Sequence, residues 1–154
     1  MAFQFSVEKH IHSDPATVFA RATDVAQWPA MIPGIIKTEV LTDGPVGEGT
    51  RFRETRKMFG KEASEEMTFS AFEPGARYCL LCENHGARYE FEYLVSPDGD
   101  GTKLEMRGNI EATSTVAKVM MTLMKPMQKK FVQQCTADLD HLKASIEGAH
   151  AGGA

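Results

Sequence analysis

Four groups of side chains in this 154-residue sequence could do chemistry. Cys79-Leu80-Leu81-Cys82 has the C-x-x-C spacing of dithiol redox and zinc sites. Such thiols meet at a helix start, but three residues apart on a strand they point to opposite faces. A strand there leaves no disulfide without breaking it. No second C-x-x-C or His pair follows to complete a zinc site. The expected arrangement is one buried thiol and one on the outer face. His10 and His12 stand two apart and share a face if they lie on a strand. Two imidazoles alone make a weak metal site, which normally wants a third protein ligand. That face alternates with an apolar one, so the expectation is a solvent-facing pair and no metal. His85 falls in a hairpin turn and His141 on the polar side of a helix, neither with a sequence-adjacent partner. Arg51, Arg53, Arg56, Lys57 and Lys61 form a basic run. It reads as a solvated outer face. The alternative is contact with an anionic headgroup or RNA, weakened by the nearby Glu62, Glu65 and Glu66. The fourth group lies on the other side of that run, where Phe52, Glu54 and Arg56 follow one another at every second residue. A buried carboxylate needs a partner or its pKa rises. Arg56, or a hydroxyl from Tyr78, Tyr89 or Tyr93, could satisfy Glu54. Two readings stand: an ion pair at the rim of an apolar space, or a carboxylate that orients a ligand's polar group. No P-loop, dinucleotide fingerprint or G-x-S-x-G motif is present.

The elements that must position these groups follow from periodicity. From Thr113 to Gly148, apolar residues recur at Val116, Met120, Leu123, Met127, Phe131, Cys135, Leu139, Leu142 and Ile146. Steps of three and four put them on one helical face. Ser114 or Thr115 can cap the start, and Gly148 is expected to stop it. Lys118, Lys125, Lys129, Lys130, Asp138 and Lys143 form the wet face. About 30 residues at roughly 1.5 Å each make a helix of about 45 Å. The rest of the chain must pack against it. Pro126, inside the helix, is expected to kink it. Before it, Phe3 to Ser13 alternates as a strand with one buried face. Ser13-Asp14-Pro15 reads as cap and first helical residue of a helix to about Ala22. A second short helix is expected over 24–30, with Trp28 inward. Six strands follow, at about 36–42, 50–58, 61–72, 77–83, 87–95 and 102–112. Gly- and Pro-containing turns separate them, which favours antiparallel neighbours. A kinked helix over a curved sheet need not pack flush, so a cavity between them is expected.

Composition bounds the rest. The chain is one domain, residues 1–148, followed by a small, Gly-rich tail, 149–154, expected to be disordered. It is 42% hydrophobic and 25% charged, the make-up of a globular protein. A net charge of −4 argues against a nucleic-acid surface. No stretch approaches the ~20 apolar residues of a membrane span. No signal peptide is seen, and three cysteines suggest no disulfide framework, so a cytoplasmic location is expected.

The order strand, two short helices, six strands, long helix resembles the helix-grip fold of the START-like superfamily. Bet v 1 relatives and the polyketide cyclase/dehydrase and lipid transport family belong to it. Ser13-Asp14-Pro15-Ala16-Thr17-Val18-Phe19, Trp28-Pro29, Val46-Gly47-Glu48-Gly49-Thr50-Arg51-Phe52, Phe72-Glu73-Pro74-Gly75 and Gly99-Asp100-Gly101-Thr102-Lys103-Leu104 carry the likeness, over residues 3 to 147. It implies an α+β fold in which a seven-stranded curved antiparallel sheet wraps a long C-terminal helix. It also implies an apolar cavity between them. The cavity walls are expected from Phe52, Phe69, Leu80, Tyr89, Phe91, Met106, Met120, Met124 and Phe131, and polar orientation from Glu54, Tyr78 and Tyr89. Met120, Met121, Met124 and Met127 could fill a core or line a ligand site, since Met adapts to varied shapes. The expected partner is an apolar small molecule of lipid, polyketide or aromatic type, carried or sensed, with no cofactor. The rivals are a polyketide cyclase/dehydrase-type enzyme using the same cavity, and a protein-interaction module. A homodimer is left open.

Overall fold

A computed structural model describes residues 2–58, 60–84 and 86–152. Phe59 and His85, which the sequence places in turns, lie outside the described residues, as do Gly153 and Ala154 of the tail.

Strand β1 (Ala2–Ile11) is followed by helix α1 (Pro15–Ala22), a 3₁₀ turn (Val25–Gln27) and a single-turn helix α2 (Trp28–Met31). Asp14 caps α1: its carboxylate accepts from the Thr17 backbone N–H at 3.1 Å and from the Thr17 hydroxyl at 2.6 Å. Val18, Phe19 and Ala22 form the buried face of α1. The expected second helix is thus a tighter turn running into α2. Trp28 is held inward by its Nε1–H, which donates to the Ala22 carbonyl at 3.0 Å.

Six strands follow: β2 (Ile35–Val40), β3 (Arg51–Met58), β4 (Lys61–Glu73), β5 (Arg77–Asn84), β6 (Ala87–Asp98) and β7 (Gly101–Ala112). They form one seven-stranded sheet in the order β1-β7-β6-β5-β4-β3-β2, antiparallel throughout. β1 closes onto β7, the last strand, so the meander needs only one long return. The expected α+β helix-grip architecture is what the chain adopts.

The terminal helix differs from its expected form. It is two helices, α3 (Thr115–Leu123) and α4 (Lys125–Gly152), broken at Met124. Pro126 is the reason: in the interior of a continuous helix its missing N–H would leave a carbonyl unpaired and its ring would crowd the carbonyl four residues back, whereas in the first turn of α4 no N–H is needed and no preceding turn is crowded. The helix also runs through Gly148, because a mid-helix glycine weakens a helix by only about 1 kcal/mol relative to Ala. The alanine-rich sequence beside it favours continuation, so the chain is helical to Gly152 rather than ending at Gly148. α4 buries Cys135, Leu139, Leu142 and Ile146 against the core, as the stripe predicts. α3 buries nothing: Val116 is 74% exposed and Leu123 68%. Uncoupled from α4 by the break, it overhangs the sheet instead of lying on it.

Candidate functional site

The inward face of the sheet is divided between two regions. At one end the α1–α2 layer covers it, and an aromatic cluster fills the gap. Trp28 and Phe52 centroids lie 5.2 Å apart, Phe52 and Phe69 5.5 Å, and Phe19 and Tyr78 5.7 Å. At the other end α3 and the start of α4 stand off the sheet and leave a cavity of about 740 Å³. That lies within the usual range for small-molecule sites.

Glu54, Tyr78, Leu80, Tyr89, Phe91, Met106, Met120, Met124 and Phe131 line the cavity. Phe52 and Phe69 do not. Both are fully buried in the aromatic cluster, because the short helices, not the terminal helix, cover that stretch of sheet. Met121 and Met127 join the roof, so the methionines left between core and cavity are on the cavity side. Alternation along a strand gives the face but not which region of it a residue reaches.

The polar end of the cavity is built on β3 and α4. Glu54 is 5% exposed. Arg56, two residues on and on the same face, donates to Glu54 Oε1 from Nε at 2.8 Å and lies 2.7 Å from it through Nη2. Its Nη1 donates to Asp138 Oδ2 at 2.8 Å. Gln134 Nε2 donates to the other Asp138 oxygen at 3.0 Å. Burial pushes the Glu54 carboxyl above its ordinary value, against the opposing pull of Arg56. Burial works against the Arg56 charge too, but Glu54 and Asp138 together outweigh it and raise its pKa.

The sequence pattern assigns Asp138 to the wet face of the helix. It faces inward instead, and the sequence carries the signal: Cys135, Asp138, Leu139 and Leu142 are spaced i, i+3, i+4, i+7. A carboxylate inside an apolar stripe needs a cation, and Arg56 is that cation. Glu65 sits across from Glu54 in the β3–β4 register and also lines the cavity. It accepts from the Asn84 side-chain amide, and Cys82 Sγ lies 3.7 Å from it.

Two tyrosines complete the floor. Tyr78 and Tyr93 are cross-strand neighbours, stacked at 4.5 Å with planes 8° apart. Both line the cavity, and neither hydroxyl has a hydrogen-bond partner among the described residues. Burial raises both phenols above their ordinary value, and Tyr89 likewise.

The remaining sequence candidates fall outside this site. Cys79 and Cys82 point to opposite faces of β5, with Cys82 on the cavity wall. Both are buried, including the one expected on the outer face, and both are free thiols. Burial pushes Cys82 up to about 12, a protonated thiol rather than a nucleophile. The outward arginines of β3 are paired across strands: Arg51 with Glu66 at 3.3 Å and Arg53 with Glu39 at 3.6 Å. That is a solvated, neutralised face. Among the described residues no helix is long and apolar enough to cross a membrane.

A curved antiparallel sheet gripping a C-terminal helix over an apolar cavity defines the helix-grip, Bet v 1-like class of proteins. The sequence model of the polyketide cyclase / dehydrase and lipid transport family matches residues 2–147, and the chain belongs to that family. No curated protein matches it in sequence. Among solved structures, Ara h 8.0201 superposes with a TM-score of 0.76 at 16% identity, covering 95% of this chain and 98% of that one. TTHA0849 from Thermus thermophilus also gives 0.76, at 20% identity, covering 96% and 99%. The di-domain ARO/CYC StfQ from the steffimycin biosynthetic pathway gives 0.81 at 12% identity. This chain is 99% covered there but spans 53% of that protein. At these identities the likeness is one of fold.

Proposed function

We propose that the protein binds an apolar small molecule of lipid, polyketide or aromatic type in this cavity, as a carrier or sensor. The observation that carries the reading is a 740 Å³ space, walled by aromatic and methionine side chains, that ends on buried polar groups with free capacity. Apolar burial supplies the affinity, about 25 cal/mol for each Å² of apolar surface covered, before the entropic cost of association. Orientation comes from the Glu54–Arg56–Asp138 cluster and the Tyr78 and Tyr93 hydroxyls, which a ligand with one polar end would satisfy. No cofactor enters this reading. Three free thiols suit a reducing, cytoplasmic compartment.

Native mass spectrometry of freshly purified protein, with released molecules identified, tests it. The expected result is a stoichiometric apolar adduct, absent from Met124→Trp, whose added ring fills the roof. An apo mass together with no saturable uptake of a neutral apolar fluorophore overturns the proposal.

A second reading is favoured by one observation. Glu54 combines burial, an elevated pKa and a position on the cavity wall, the setting of a general acid or base. In a polyketide cyclase/dehydrase-type enzyme the cavity would fold a poly-ketone chain and Glu54 would move its protons. Turnover of a poly-ketone, lost in Glu54→Gln while the ligand still binds, supports the enzyme; binding without turnover supports the carrier. The cavity itself weighs against a purely protein-binding module.

A further inference from the structure

We propose that His10, His12 and Asp100 form a binding site for a divalent transition-metal ion of the zinc type, separate from the cavity. His10 lies in the last turn of pleat of β1, one residue before its end, and His12 follows the strand. Asp100 stands in the two-residue turn between β6 and β7, far away in sequence. Pairing of β1 with β7 brings them together: His10 is opposite Lys103 and Ile11 opposite Thr102. One ligand atom from each of the three residues lies within 4.8 Å of the others. None of the three lines the cavity.

The geometry fits a metal beyond mere proximity. His10 Nε2 is 3.6 Å from Asp100 Oδ1. In a tetrahedral zinc site with bonds of about 2.1 Å, adjacent ligand atoms are about 3.4 Å apart. The other His10 nitrogen, Nδ1, is 2.9 Å from Asp98 Oδ2. That hydrogen bond fixes the tautomer and leaves Nε2 as the ligand atom, the carboxylate–histidine–metal arrangement that orients metal-bound imidazoles. The His12 ring packs edge-on to His10, 4.7 Å between centroids. Of the nearby cations, Lys143 is engaged elsewhere: its Nζ bonds the His10 carbonyl at 2.6 Å and Glu147 at 3.0 Å.

The backbone holds the ligands close. A Cβ on Gly101 would meet the Ile11 carbonyl oxygen at 2.4 Å and His10 Nε2 at 3.0 Å, so only glycine lets the turn approach this near. Two imidazoles and one carboxylate favour zinc, cobalt, nickel or copper over calcium or magnesium, which prefer all-oxygen shells. With three protein ligands, water occupies the fourth position. The bound ion would tie the end of β1 to the β6–β7 turn and stabilise the folded chain by mass action.

Cobalt(II) titration of the full chain, followed by the visible absorption of tetrahedral cobalt, tests this, with zinc competition by calorimetry. One ion per chain is expected, displaced by zinc, with zinc raising the melting temperature. His12→Ala and Asp100→Ala should each weaken binding at least tenfold and abolish the zinc-dependent rise. Asp100 is 84% exposed in its side chain, so its replacement leaves the fold intact. No saturable binding, or binding unchanged in both variants, overturns the site.

Discussion

Arg56 carries one positive charge and faces two carboxylates, Glu54 at 2.7 Å and Asp138 at 2.8 Å. A charge divided between two partners compensates neither fully, which is why burial prevails at Glu54 and its pKa goes up. The consequence for stability has a definite sign. Glu54 holds a proton more tightly in the folded chain than in the unfolded one. Its contribution is therefore greatest below the ordinary carboxylate range and is lost as pH rises through that range to the raised native value. Glu54→Gln removes this dependence. Between acidic and neutral pH, the wild-type denaturation midpoint should fall relative to that of the variant; a constant difference would mean Glu54 ionises as it does in water. Much of this cluster is readable in the sequence, since Phe52, Glu54 and Arg56 alternate on one face of β3. Asp138 escapes that reading, because a polar residue on a helix is assigned to water until its i, i+3 and i+4 neighbours are weighed with it.

At the level of elements, β4 shows why alternation alone misplaces side chains. Phe69 and Phe72 are three apart and would face opposite ways on a regular strand. Their rings are 5.7 Å apart on the same side. The register slips between Phe69 and Ala71, leaving Ser70 as the extra residue of a bulge that turns Phe72 inward. On β7 a glycine performs a different task. Gly108 lies opposite Phe5, and a Cβ there would sit 2.3 Å from the Phe5 ring. The ring occupies the space the missing side chain leaves, and from there meets Phe131 edge-on at 5.7 Å. Gly108→Ala should thus destabilise by about 1–3 kcal/mol through overpacking, read from the denaturant midpoint. A midpoint near wild type would show that Phe5 swings away freely. Nothing in the sequence around Gly108 marks it, because its reason is a ring on another strand.

Across the whole molecule, the cavity exists because two rigid parts cannot collapse onto each other. The sheet is stiffened by six antiparallel pairings, and α4 is anchored by Cys135, Leu139, Leu142 and Ile146 at the far end. α3, cut loose at Met124, spans the space between. A ligand that binds only the folded chain stabilises it by about 2.7 kcal/mol at a hundred times its dissociation constant. For a chain of this size that is a rise of roughly 5–10 °C in melting temperature. A ligand that saturates without such a rise is bound outside the fold's own space. The amino-acid sequence alone was enough for the seven strands, the antiparallel pairing of those joined by short turns, and the apolar stripe of the last helix. Those follow from local periodicity and turn residues, which act over a few positions. It also marked Glu54 and the methionines. The rest follows from how distant segments meet in the fold. Phe52 and Phe69 are core because α1 and α2 cover them, and Asp100 meets His10 because β7 returns beside β1. Each depends on which distant segment lies opposite, and no local pattern in one chain encodes that.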